Sequence, residues 1–206
     1  MQEPLALDRS KTCCFTGHRS RDLPFRGDMQ RMGMRNLVST IYLAVTEAVE
    51  KGYDTFITGM ADGIDLICAD IVSELVSFGC RLTLLCVVPY AGHIKEQRTP
   101  RNVCLYNRLV STFPTVVLSR RYHSKCYEKR NLFMVEHSSK LIGVYKNKPC
   151  GSGTAQTIRF ARRAGLECRI IRLDEPNVFY MDYEAGGDDA DKGSITHRQG
   201  KAKNDL

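Results

Sequence analysis

Glycine and cationic side chains recur in one kind of place in this sequence, directly after short apolar runs. The segments are TGHRSR (16–21), TGMADGID (58–65), VPYAGH (88–93), SRRYHSK (119–125) and YKNKPCGSGT (145–154). GSGT (151–154) has the sharpest chemistry. Glycine lets backbone N–H groups approach an anion with no Cβ in the way, and a helix starting near Thr154 adds free N–H groups and a positive dipole end. Gly151, Ser152, Gly153 and Thr154 are therefore candidates for a phosphate nest, with the Thr154 hydroxyl as a further donor. A plain strand–helix turn, with Thr154 as N-cap, fits the same residues.

TGMADGID supports two readings as well. Asp62 and Asp65 ahead of an apolar helix match an N-cap followed by a first-turn carboxylate. Alternatively, Asp65 accepts hydrogen bonds from sugar hydroxyls or backbone, while Gly59 and Gly63 permit close approach. Gly17, His18 and Arg19 follow the first apolar run, where Arg19 can clamp a phosphate bidentately. Arg19, Arg21, Arg120, Arg121, Lys146 and Lys148 all follow predicted strands and should gather at one sheet edge. No GxSxG or HExxH motif is present, GSGT lacks the GK[ST] ending of a Walker A loop, and GSGTAQ lacks the last glycine of GxGxxG. No cysteine or histidine spacing suits zinc.

These loops need a scaffold. Strands are predicted over 11–16, 54–59, 81–89, 115–119, 140–146 and 167–173. Helices are predicted over 28–51, 63–78, 93–111 (broken at Pro100), 125–138 and 153–165. In 63–78, Ile64, Ile67, Cys68, Ile71, Val72 and Leu75 form one apolar stripe. Alternating strands and helices imply right-handed βαβ units: an α/β, Rossmann-like, doubly wound, mainly parallel sheet with helices on both faces. Ligands of such sheets bind beyond the carboxyl ends of the strands, where the glycine loops lie.

The chain has 206 residues and net charge +7. Residues 1–173 carry +11, and the segment from Asp174 onward carries −4. A basic body suits an anionic ligand. Residues 1–10 read as an N-terminal extension, 11–182 as the domain and 183–206 as a polar, disordered tail. The nine cysteines read as reduced, mostly buried residues of a cytoplasmic protein. No apolar run is long enough to span a membrane.

TCCFTGHR, TGMADGIDLICAD, VPY with Gln97 downstream, YEKRNLFMVEHSSKLIGVY and GSGT, in that order, resemble the SLOG superfamily, most closely its YpsA-like branch. The resemblance implies a nucleotide-derived ligand, such as an ADP-ribose or nucleoside-phosphate derivative. It adds Gln97, Arg130 and Asn131 to the candidate ligand residues. TGMADGID is also similar to the glycine-rich signature of DprA, implying single-stranded DNA as an alternative partner. PCGSGT is similar to the PGGxGTxxE motif of Lonely Guy phosphoribohydrolases, with Cys150 in place of a glycine and Thr157 in place of the glutamate. A nucleotide hydrolase is thus the other alternative, without its key carboxylate. The leading expectation is binding or sensing of a phosphate-bearing small molecule. No metal is expected.

Overall fold

The apolar runs build a six-stranded, all-parallel sheet in the order β4-β3-β2-β1-β5-β6. The computed structural model describes residues 7–147, 152–174 and 179. The strands are β1 (Thr12–Gly17), β2 (Thr55–Thr58), β3 (Thr83–Val88), β4 (Thr115–Val117), β5 (Lys140–Tyr145) and β6 (Glu167–Arg172). The helices are α1 (Met32–Glu50), α2 (Ile64–Ser77), α3 (Pro100–Thr112), α4 (Cys126–Glu136) and α5 (Gly153–Arg163).

The side-chain alternation of a strand divides the core in two. Cys13, Phe15, Phe56, Leu84 and Cys86 pack with the apolar stripes of α1, α2 and α3. Cys14, Ile57, Leu85 and Leu141 point the other way and pack with Met134 and Val135 of α4 and Ile158 and Ala161 of α5. The adjacent pair Cys13–Cys14 thus serves both cores. The fold is α/β and Rossmann-like, with helices on both faces. Burial raises the thiols of Cys14 and Cys86 to about 12, so they are inert packing groups.

Element boundaries differ from expectation where turn chemistry intervenes. The first helix starts at Met32 because Phe25, Arg26 and Gly27 adopt positive φ (49°, 56° and 80°) in a preceding tight turn. The expected break at Pro100 is a true boundary: His93–Glu96 forms a separate 3-10 turn, and Thr99 caps α3 by accepting from the Asn102 N–H. Cysteine 150, Lys148, Gly151 and the 183–206 tail lie outside the described residues. No described helix is long and apolar enough to cross a membrane.

Candidate functional site

The sheet order fixes where a site can form. The chain steps outward from β1 to β4 with its connecting helices on one face, then returns to pair β5 against β1 with helices on the other. The connections after β1 and β5 therefore diverge, opening a crevice at the carboxyl rim. A cavity of about 330 Å³ lies there. Its walls include Gly17, His18, Arg19, Arg21 and Asp22 after β1, Ala61 and Asp65 after β2, Tyr127, Arg130, Asn131 and Met134 of α4, and Ser152, Gly153, Thr154, Gln156 and Thr157 at the start of α5.

Ser152, not Thr154, is the N-cap of α5, and its Oγ accepts from the Ala155 N–H at 3.1 Å. The Gln156 N–H bonds the Ser152 carbonyl. Helix geometry thus leaves the N–H groups of Gly153 and Thr154 for an outside acceptor. Among the described residues a Cβ at Gly153 would meet nothing within 4 Å, so none of them covers this end of the helix. Thr157 donates its hydroxyl to the Gly153 carbonyl at 2.8 Å.

The loop after β2 is built differently. Arg130 Nη1 donates to Asp65 Oδ2 at 2.7 Å, both side chains being more than nine-tenths buried. The guanidinium passes directly over Gly59, where a Cβ would sit 1.5 Å from Nη1. Asp65 Oδ2 also accepts from the Ala61 N–H at 3.3 Å. Gly63 has φ +94°, and a Cβ there would lie 2.4 Å from the His18 carbonyl and 2.7 Å from the Ser20 nitrogen. Asp62 is not the helix cap: Gly63 occupies that position, and Asp62 Oδ1 accepts from Ser20 Oγ (2.6 Å) and Asn102 Nδ2 (2.8 Å). Gly59, Gly63 and Gln97 do not line the cavity. Gln97 Nε2 instead donates to the Met60 carbonyl at 3.2 Å, holding a residue whose own φ is +56°. Gly63 borders a separate, more apolar groove of about 470 Å³ between α2, α3 and the segment before α1.

His18 joins the two sides of the crevice. Its buried Nε2 accepts the Lys146 N–H at 3.0 Å, tying the end of β1 to the end of β5. Arg19 stands 5.9 Å from the centre of the Tyr127 ring, and among the described residues no carboxylate forms an ion pair with it. Arg120 and Arg121 are exposed on the loop after β4 and do not line the cavity. Behind α4, His93 is fully buried among Tyr90, Tyr106 and Tyr127. Burial, then the charges of Arg130 and Arg19, lower its pKa to about 3. Among the described residues no cluster of three or more His, Cys, Asp or Glu could hold a metal.

The nine described candidates along this wall (Gly17, His18, Arg19, Asp65, Arg130, Asn131, Ser152, Gly153 and Thr154) come from four separate stretches of chain and meet in one cavity. Asp22, Gln156 and Met134 also line it, and sequence reading did not select them. For Met134 a signal existed: Tyr127, Arg130, Asn131 and Met134 fall at i, i+3, i+4 and i+7, one face of a helix.

The family model of the YspA SLOG family matches residues 13–175. The chain belongs to this family. Its curated relatives include a UPF0398 protein of Staphylococcus saprophyticus, 24% identical over 84% of this chain and 95% of the relative. A UPF0398 protein of Staphylococcus aureus strain JH9 is 22% identical over the same shares. Among solved structures, the fold is similar to DNA processing protein A from Helicobacter pylori, described for its single-stranded DNA binding mode. That match has a TM-score of 0.53 and 13% identity, and covers 81% of this chain and 68% of the other. The SLOG match extends from β1 to just past β6, so it contains every described cavity wall.

Proposed function

We propose that this protein binds a nucleotide-derived, phosphate-bearing small molecule in the cavity between β1 and β5. The observation that carries the reading is the N-terminus of α5, which no described residue covers. The N–H groups of Gly153 and Thr154 and the cation of Arg19, which has no carboxylate partner among the described residues, face one cavity at the point where the strand order reverses. Partial positive charge at a helix end favours an anion, and an arginine fork suits phosphate oxygens. Asp65 is engaged by Arg130 and the Ala61 N–H, which makes it a positioning carboxylate for Arg130 rather than an open acceptor.

The test is calorimetric titration with AMP, ADP-ribose and ribose 5-phosphate, with thermal melting in parallel. A ligand that binds only the folded chain raises the melting temperature. Arg19→Ala is expected to weaken binding of every phosphate-bearing compound while leaving the melting temperature of the free protein unchanged. Failure of all three compounds to bind overturns the reading.

A second reading, single-stranded nucleic acid as partner, is favoured by the likeness to the Helicobacter pylori protein and by exposed Arg120 and Arg121 beside the rim. It predicts binding of oligonucleotides with a steep loss of affinity as salt rises.

A further inference from the structure

An aromatic row leads from the cavity wall to the surface. Tyr127 lines the cavity, with Arg19 on it. Tyr90 lies edge-on to Tyr127, their ring centres 6.3 Å apart, and edge-on to Tyr122 at 5.4 Å. Tyr122 is itself 6.3 Å from Tyr127 and remains 62% exposed. A single exposed tyrosine needs no explanation. This one, however, is held in place. Edge-to-face contacts with two other tyrosines fix its ring plane. Its loop is also pinned by Ser119 Oγ hydrogen-bonded to His123 Nε2 (3.0 Å), by the Ala91 N–H on the Ser119 carbonyl (2.9 Å), and by the Cys126 N–H on the His123 carbonyl (3.0 Å). The result is a preorganised, solvent-facing ring one neighbour away from the anion cavity.

We infer that Tyr122 is the stacking platform for the aromatic base of the bound ligand, whose phosphate lies toward Arg19 and α5. This rests on the phosphate-binding reading above and names the ligand class: a nucleotide with an intact base, not a sugar phosphate. Stacking uses the face common to all bases, so selectivity among them follows ring size, with purines above pyrimidines.

Titration of AMP, UMP and ribose 5-phosphate into the wild type, Tyr122→Ala, Tyr122→Phe and Arg19→Ala tests it, with thermal melts confirming folded variants. In the wild type AMP binds tightest, then UMP, then ribose 5-phosphate. Tyr122→Ala weakens AMP about tenfold, the loss carried by one base stack, and leaves ribose 5-phosphate unchanged. Tyr122→Phe keeps AMP affinity, and Arg19→Ala weakens AMP and ribose 5-phosphate by the same factor. Equal affinities for AMP and ribose 5-phosphate, or a Tyr122→Ala effect that is absent or the same on both, overturn the stacking role and leave the phosphate site standing. No binding of any of the three overturns both. Binding of an oligo-dT strand without AMP overturns this inference in favour of the nucleic-acid reading.

Discussion

The loop after β2 and the start of α5 both bring glycine to the carboxyl rim, yet among the described residues the first is filled by protein and the second is not. A guanidinium covers Gly59, and the backbone of residues 18–20 presses against Gly63. Among the described residues nothing lies within 4 Å of a Cβ at Gly153. The same residue type therefore serves rigid assembly in one loop and access in the other. The sealed loop carries the buried Asp65–Arg130 pair and so holds α2 and α4 together across the rim. Among the described residues, the start of α5 is held by the Ser152 cap.

The largest expected break in this contrast is Arg130→Leu. It strands the buried Asp65 carboxylate and should cost about 3–5 kcal/mol in urea denaturation, while a double variant with Asp65→Leu recovers part of that loss. A wild-type-like midpoint for the single variant would mean the pair does not seal the loop. Next is Gly63→Ala, where strain at φ +94° adds to collision with backbone atoms 2.4–2.7 Å away. The expected destabilisation is about 2–4 kcal/mol, read the same way.

Acid comes third. The buried His93, with its pKa lowered to about 3, stays neutral in the folded chain, whereas in the unfolded chain it takes a proton near pH 6.5. Its contribution is fully present above that pH and is lost as pH falls from about 6.5 toward 3, by at most about 1.4 kcal/mol per pH unit. His93→Phe should flatten that part of the stability–pH curve; an unchanged slope would assign the acid sensitivity elsewhere. The smallest effect belongs to Gly153→Ala. Alanine at the first helical position should leave stability unchanged or raise it by up to about 0.5 kcal/mol, while a methyl group at the helix mouth weakens phosphate binding. Destabilisation by more than about 1 kcal/mol would show that the start of α5 is packed at Gly153.

Most of the scaffold was legible because apolar periodicity is local. The stripe from Ile64 to Leu75 and the doubly buried run 83–88 identify their elements without outside information. The glycines were not legible in the same way. Gly59 and Gly153 both follow strands, and only the tertiary path of Arg130, arriving from a helix on the opposite face, tells them apart. Gln97 was selected as a ligand residue, but it braces the Met60 carbonyl, a partner that depends on a left-handed turn no pattern signals. Asp62 looked like a cap from spacing alone, and it was drawn away by Ser20 and Asn102.

The bond between His18 and Lys146 spans 128 positions of chain. During synthesis, β1 has its β2 partner early, but its other edge stays bare until β5 has emerged and swung back beside it. A nascent chain stalled before residue 140 assembles one flank of the sheet without the cavity between β1 and β5. If the proposed ligand binds there, its occupancy reports that the last part of the chain has docked, and it acts as a late clasp on the finished fold.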